Sequence, residues 1–127
     1  MTDDRRQLGR DGEEVAARYL RRRGYTLLDR NRRSEGGEID IVARDRDGAI
    51  VFVEVRTRRG RGAALAALES VDPAKQERLR MGAAAYLADL AGDGGEEPSA
   101  RIDVVAVAPG RGGRLVVARH VRNAVEA

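Results

Sequence analysis

One apolar run constrains this chain more than any other feature. Residues 50–55 read Ile-Val-Phe-Val-Glu-Val, so bulky and mostly β-branched side chains occupy nearly every position. Such a run predicts a strand, over residues 49–57, that lies in the middle of a sheet and is covered on both faces. The turn residues Asp45-Arg46-Asp47-Gly48 come directly before it. They indicate a hairpin whose other strand covers residues 38–44.

The remaining elements follow from helical periodicity and from Gly, Pro and Asp at their ends. In chain order we expect a helix over 5–23, a strand over 25–32, an alanine-rich connection of one or two helical turns over 60–70, a helix from Pro73 to about residue 90, strands over 101–108 and 114–120, and a short helical turn in the tail. The order αβββαββ predicts one α/β domain over residues 1–127, with a central mixed β-sheet flanked by helices.

The composition excludes several classes of protein. The chain has no cysteine and a single histidine, His120, so a disulfide framework and a zinc site of the usual ligands are excluded. His120 itself is expected at a strand end. No apolar run approaches the ~20 residues of a membrane span, and the first residues lack the apolar stretch of a signal peptide. We therefore expect a cytoplasmic protein without a membrane partner.

Arginine is concentrated in two segments of the first half. Seven arginines and one acid lie between Arg18 and Arg33, and four arginines without any acid lie between Arg56 and Arg61. Clustered arginine attracts phosphate because the guanidinium pairs with two oxygens at once. The alternative is a composition that uses arginine wherever other proteins use lysine. Arg58 and Arg59, at the end of the apolar strand, form a basic arm that suits contact with a nucleic-acid backbone.

The predicted hairpin brings two carboxylates together. A three-residue turn pairs Asp45 with Ala49, and counting back in antiparallel register puts Asp40 opposite Glu54. Two facing carboxylates repel unless a cation lies between them. Arg56, on the same side of the sheet, supplies one such cation as a salt bridge. A divalent metal supplies another, since Mg²⁺ favours one or two carboxylates.

A third acid comes from the first helix. Glu13 lies at the margin of the apolar face and can look toward the sheet. The alternative is a first-turn carboxylate that only complements the helix dipole.

These residues carry a resemblance that covers nearly the whole chain. The ordered motifs are Gly9-x-x-Gly12-Glu13-x-x-Ala16-x-x-Tyr19-Leu20, then Arg30-Asn31-x-Arg33, then Gly37-Glu38-Ile39-Asp40-Ile41-Val42-Ala43, and then Val51-Phe52-Val53-Glu54-Val55-Arg56-Thr57-Arg58. Later matches are Val71-x-x-x-Lys75-x-x-Arg78-Leu79, Ala84/Ala85-Tyr86-Leu87 and Arg101-x-Asp103-Val104-Val105. Together these motifs resemble the YraN family of bacterial proteins. That family in turn resembles the PD-(D/E)xK nuclease superfamily, which includes archaeal Holliday-junction resolvases and has a restriction-endonuclease-like fold.

The resemblance implies a catalytic site. It assigns Glu13, Asp40 and Glu54 to one or two Mg²⁺ or Mn²⁺ ions, and it places Arg56 where the superfamily usually has a lysine. Arginine stays protonated and cannot act as a base. It can still hold a phosphate oxygen and stabilise charge in the transition state. Lys75 is a candidate substitute for the missing lysine, or else a surface residue in the first turn of its helix.

The resemblance also implies the substrate. Asn31 and Arg33 match the family pattern and are candidates to grip a phosphate, with strand-end hydrogen bonding and plain surface charge as their alternatives. The expected activity is a metal-dependent DNA endonuclease that selects structure, including branched DNA, rather than sequence. A homodimer is the assembly that resolvase-like relatives suggest. Two alternatives stay open, namely a nucleic-acid-binding module without catalysis and a structural carboxylate–arginine network without a ligand.

Overall fold

The computed structural model describes residues 2–34, 36–92, 94–96 and 98–126, without the side chains of residues 2 and 3. Its elements are α1 (Thr2–Arg22), β1 (Thr26–Ser34), β2 (Gly37–Arg44), β3 (Ile50–Thr57), α2 (Ala63–Glu69), α3 (Pro73–Ala91), β4 (Ala100–Pro109) and β5 (Leu115–Val125), with a 3₁₀ turn at Arg111–Gly113 before β5. The α/β class and the element order are confirmed, and the alanine-rich connection forms the short helix α2. Residues 93 and 97 of the predicted loop lie outside the described part of the chain.

The five strands form one mixed sheet in the order β1-β2-β3-β4-β5. Only β3 and β4 are parallel, because α2 and α3 return the chain to the same end of the sheet between them. Strand β3 is central, as predicted, and its apolar residues from Ile50 to Val53 are at most 1% exposed. None of the described helices combines the length and the apolar character that a bilayer crossing requires.

Each face of the sheet is covered by one long helix. On one face Ala16, Ala17 and Leu20 of α1 pack against inward residues of β2 to β4. On the other face Leu79 and Ala83 of α3 pack against a second apolar layer. Helix α3 begins at Pro73 because the side chain of Asp72 accepts a hydrogen bond from the backbone N–H of Lys75, at 2.8 Å.

The helical turn predicted for the tail is wrong. Strand β5 continues to Val125, which pairs with Ile102 of β4 and is only 3% exposed. The burial of Val125 holds the tail on the sheet. Asn123 takes a left-handed conformation, with φ of 52°, and its backbone N–H donates to Asp103 at 2.9 Å. This local irregularity interrupts the alternation that marks a strand in the sequence.

Candidate active site

The β2–β3 hairpin has the predicted register up to the point where the site begins. The backbone N–H of Asp45 donates to Ala49 at 3.0 Å, and the ladder continues to the pair of Ile41 with Val53. There the regular pairing ends. The side chain of Asp40 turns to Val55 and accepts its backbone N–H at 2.8 Å. The strands therefore part at Asp40, and its carboxyl group replaces a backbone partner in the ladder.

A break in alternation accompanies this parting of the strands. Ile39 packs with Val42 in the layer under α3, whereas strict alternation would place it with Ile41 under α1. The sheet opens at this position, and polar side chains from β2 and β3 meet in the opening.

Asp40 and Glu54 form a close carboxyl pair in that opening. Glu54 is only 3% exposed, and the two carboxyl groups lie within hydrogen-bonding reach of each other. Burial, followed by the charge and the hydrogen bond of Glu54, raises the pKa of Asp40 to about 9. Asp40 therefore keeps its proton at neutral pH when no added cation is present.

Two positively charged side chains reach Glu54. The guanidinium of Arg56 lies 2.9 Å from Glu54 Oε2, which is the salt bridge anticipated from the sequence. The ammonium of Lys75, from the first turn of α3, lies 3.4 Å from the same oxygen, with its side chain 20% exposed. The structure thus places Lys75 at the carboxyl pair rather than on the open surface.

Glu13 approaches the pair from α1. A close contact makes this possible, because a Cβ atom added at Gly12 would lie 1.8 Å from Thr57 Oγ1 at the end of β3. Glu13 is half-buried, and burial is the main cause that raises its pKa, with Arg30 opposing the shift and Glu38 and Glu54 adding to it. The side chain therefore interacts with the carboxyl pair through its charge.

Asn31 and Arg33, on β1, contact acids of this region. With its amide nitrogen turned toward the acids, Asn31 donates to Glu13 at 2.9 Å and to Glu38 at 2.8 Å. Its backbone is left-handed, with φ of 50°, which asparagine tolerates better than most residues. Arg33 is exposed, and its Nε lies 3.7 Å from Glu38. Asn31 holds two carboxylates near each other, and Arg33 points its charge outward.

The basic arm leaves β3 at the same end of the sheet as the acids. The guanidinium of Arg58 donates to the backbone carbonyl of Thr57 at 2.8 Å. Arg59 is exposed. Arg58 and Arg59 follow Thr57 directly in the chain, so the basic arm begins at the end of the strand that carries Glu54.

The acidic side chains of the site provide some, but not all, of the oxygen ligands that a cation such as Mg²⁺ requires. Across residues 2–34, 36–92, 94–96 and 98–126, no three His, Cys, Asp or Glu side chains are grouped so that they could hold a metal ion. The close pair of Asp40 and Glu54 nevertheless provides the one or two carboxylates with which Mg²⁺ is commonly bound, the other positions being filled by water or phosphate. Among the described residues no cationic side chain pairs with Asp40, which lies beside the buried Glu54, and this favours a cation because a positive charge there would relieve the repulsion between two ionised carboxylates.

Sequence reasoning missed a second buried polar network. Asp103, fully buried in β4, lies 2.8 Å from His120 Nε2 and accepts from Arg101 Nε at 3.0 Å. His120 Nδ1 lies 3.0 Å from the hydroxyl of Tyr19, and Arg101 also pairs with Asp45. Burial opposes ionisation of Asp103, but hydrogen bonds from His120 and Arg101 hold its pKa below the ordinary value.

The position predicted for His120 is therefore wrong. The residue lies within β5 and opposite Val105 rather than at a strand end, and its ring ties β5 to β4 and α1. The signal that was available in the sequence is the lone acid in the apolar strand Ile102-Asp103-Val104-Val105, because a buried acid needs partners.

Comparisons with known proteins place the chain among close sequence relatives. A UPF0102 protein of Roseiflexus castenholzii is 52% identical over 126 residues, which are 99% of this chain and 98% of that protein. A UPF0102 protein of Symbiobacterium thermophilum is 48% identical over 122 residues, covering 96% and 98% of the two chains.

Solved structures are more distant. EndoMS, in the complex EndoMS-dsDNA2, is 23% identical with a TM-score of 0.37, over 78% of this chain and 36% of that one. SfsA of Pyrococcus furiosus, in complex with Ca²⁺, is 13% identical with a TM-score of 0.40, over 91% and 63%. The chain thus spans about a third of the length of EndoMS.

The family model described as "Uncharacterised protein family UPF0102" matches residues 12–107. That range contains Glu13, Asp40, Glu54 and Lys75, together with the strands and helices that hold them. The chain belongs to the UPF0102 family, which is the YraN family that its motifs resemble.

Proposed function

We propose that this protein is a divalent-metal-dependent endonuclease that hydrolyses phosphodiesters in DNA. The observation that carries the proposal is the unequal pairing of Asp40 and Glu54. Arg56 and Lys75 both contact Oε2 of Glu54, whereas no ion pair reaches Asp40 among the described residues. A purely structural network is expected to give each buried carboxylate its own cation. An acid left with a raised pKa beside another acid is typical of a functional site.

The proposed roles follow from the geometry. Asp40 and Glu54 would hold Mg²⁺ or Mn²⁺, and Glu13 is a third acid that would act on the cation through its charge; a bound cation of this kind lowers the pKa of a water nucleophile and polarises a phosphoryl oxygen. Arg56 holds a phosphate oxygen and stabilises negative charge that develops in the transition state. Lys75 supplies the lysine that the strand lacks, and unlike Arg56 it is able to exchange a proton.

The basic residues near the carboxyl pair are proposed to bind the DNA substrate. Arg33, Arg58 and Arg59 contact phosphates near the carboxyl pair, and Asn31 positions Glu13. Such contacts carry no base information, and only four residues of the chain are aromatic. The enzyme is therefore proposed to select DNA by structure, with branched DNA among its substrates. It is proposed to act in the cytoplasm and as a homodimer.

The second candidate is a nucleic-acid-binding module that does not cut. The salt bridge between Arg56 and Glu54, at 2.9 Å, favours this alternative, because the guanidinium already neutralises the charge of Glu54 without a metal. It predicts salt-sensitive DNA binding, no cleavage with any divalent metal, and little effect of Asp40→Ala on binding.

Cleavage assays separate the two candidates. Purified protein is incubated with branched and linear duplex DNA in Mg²⁺, in Mn²⁺ and in EDTA. We expect cleavage that requires a metal and that falls about 100-fold or more in Asp40→Asn and Glu54→Gln. Glu69→Gln, an exposed acid on α2, is the matched control and should cut normally. Metal-dependent cutting that persists in Asp40→Asn would refute the assigned site.

The two cationic residues are tested next. Lys75→Met should abolish cutting while Arg78→Met, an exposed cation three residues further along the same helix, should not. Arg56→Lys restores the superfamily's usual residue. A large gain in cutting from Arg56→Lys would mark the native arginine as a loss of activity and would favour the binding module.

A further inference from the structure

A wide cleft lies away from the carboxyl pair. It opens between the second half of α1, the turn that joins β2 to β3, and β5, and its volume is about 1560 Å³. Asp45, at its wall, is separated from Asp40 by five residues of extended chain, which span about 16 Å. The cleft is therefore a different surface from the candidate active site.

Exposed arginines from four segments of the chain converge on this surface, which we call the arginine cleft. They are Arg18, Arg22, Arg23, Arg46, Arg114 and Arg122. Within the described residues none of them forms an ion pair with a carboxylate. Of the two acids at the cleft, Asp45 is buried and paired with Arg101, so Asp47 alone offers a free carboxylate. The cleft therefore carries a large excess of positive charge.

The shape and the aromatic residues of the cleft select among anionic ligands. Its volume exceeds the ~300–1,000 Å³ of ordinary small-molecule sites, which favours a polymer. The guanidinium of Arg23 lies 4.9 Å from the centroid of the Tyr19 ring, and the centroid of the His120 ring lies 5.6 Å from it in an edge-on arrangement. Tyr25 lies tilted against the same histidine, at 6.3 Å. Because these rings are already packed, they offer no open platform for unstacked bases, and a duplex backbone fits better than a single strand.

We propose that the arginine cleft binds the phosphate backbone of double-stranded DNA, as a second docking surface for a duplex arm that lies beyond the cleavage position. The forked guanidinium groups suit bidentate pairing with phosphate oxygens. The choice of DNA as the ligand rests on the proposed function. The cleft itself uses no residue of the carboxyl pair, so it does not depend on whether the protein cuts.

Binding assays with a matched charge control test the proposal. The cleft variant carries Arg22→Gln, Arg46→Gln and Arg114→Gln; the control carries Arg5→Gln, Arg111→Gln and Arg119→Gln, three exposed arginines outside the cleft. Fluorescence anisotropy measures the Kd for a short labelled duplex in EDTA over a range of salt. We expect the cleft variant to bind about tenfold or more weakly, and the slope of log Kd against log salt to fall by about 0.9 for each lost phosphate contact. Equal losses in the two variants would refute the proposal.

A gain-of-binding variant removes any ambiguity from misfolding. Asp47→Arg replaces the free acid of the cleft and should tighten duplex binding about threefold or more, whereas Glu69→Arg, at an exposed position of α2 that does not line the cleft, should not. No gain from Asp47→Arg, or an equal gain from both variants, would contradict the assigned surface. A single strand of equal length should respond weakly to the cleft variant; an equal loss there would overturn the preference for duplex.

The same proteins are also assayed for cleavage, which separates the two proposals. If no metal supports cutting but the cleft variant loses duplex binding, the nuclease assignment fails and the cleft assignment stands. If the wild type cuts and the cleft variant binds duplex like the control, the cleft assignment fails and the nuclease assignment stands.

Discussion

Replacing Asp40 with asparagine should stabilise the metal-free protein at neutral pH. The folded protein keeps a proton on Asp40 well above the pH at which the unfolded chain releases it, because burial and the neighbouring Glu54 raise the pKa from 3.8 to about 9. Asparagine has the shape of the protonated acid. Its oxygen can still accept the N–H of Val55, which now donates to Asp40 at 2.8 Å, and its nitrogen can donate to Glu54.

The magnitude follows from proton linkage. Below pH 3.8, the pKa of Asp40 in the unfolded chain, the folded and the unfolded protein both carry a proton on Asp40. In that range Asp40 therefore does not make the free energy of unfolding depend on pH. Between 3.8 and about 9 only the folded state holds it, and the free energy of unfolding falls by about 1.36 kcal/mol per pH unit as the pH rises. At pH 7 the free energy of unfolding has therefore fallen by at most roughly 4 kcal/mol. Residual solvent contact of the side chain screens part of it, and we expect about 2 kcal/mol.

Urea unfolding followed by circular dichroism in EDTA measures the difference. Asp40→Asn should be about 2 kcal/mol more stable than wild type at pH 7, equivalent to a Tm higher by roughly 6–10 °C, and this advantage should disappear near pH 4. Asp47→Asn, an exposed acid in the hairpin turn, is the control and should show no such pH-dependent gain. An Asp40→Asn protein that is no more stable than wild type at pH 7 would refute the argument that the two acids repel.

Three further changes test the surrounding structure. Gly12→Ala should lower stability by about 1–3 kcal/mol in thermal unfolding, since the new Cβ would lie 1.8 Å from Thr57 Oγ1; an unchanged Tm would contradict the close contact. Asp103→Asn should cost about 3–5 kcal/mol at pH 7, because it breaks a buried pair with Arg101. Because the pKa of Asp103 in the folded state is below 3.8, the loss should shrink as the pH falls from 3.8 toward that lower value, which acid titration of both proteins would check. Glu13→Gln should reduce the rise in Tm that Mn²⁺ produces, and a rise equal to that of wild type would show that Glu13 takes no part in the proposed metal site.

Local sequence rules accounted for the hairpin that carries the site. The turn at residues 45–48 and the apolar run of β3 fixed the register, and the pairs through Ile41 and Val53 follow it. The rules did not foresee that the ladder ends there. Asp40 leaves the alternating pattern because its carboxyl group accepts a hydrogen bond from the backbone N–H of Val55. In a regular ladder a backbone carbonyl would accept that bond, and hydrophobic periodicity does not show when a side chain replaces it.

Long-range pairing accounts for the other errors. His120 and Asp103 are 17 positions apart in the sequence and meet only because β5 folds back along β4. The tail contains Asn123 and Ala124, whose polar and small side chains weaken a strand pattern. The pairing of Val125 with Ile102 nevertheless extends β5. Burial against a distant strand therefore outweighed the local preference.

The position of Lys75 follows from two periodicities considered together. Lys75, Leu79 and Ala83 are spaced four residues apart and so lie on one stripe of α3, and the last two are buried against the layer that contains Phe52. Glu54 is the next residue after Phe52 on that side of β3. Because the apolar residues of the α3 stripe pack against Phe52, the charged residues one step further along, Lys75 on the helix and Glu54 on the strand, should also come into contact. The structure has this contact, with 3.4 Å between Lys75 Nζ and Glu54 Oε2. The sequence therefore encodes the contact of Lys75 with Glu54 through packing rather than through a motif.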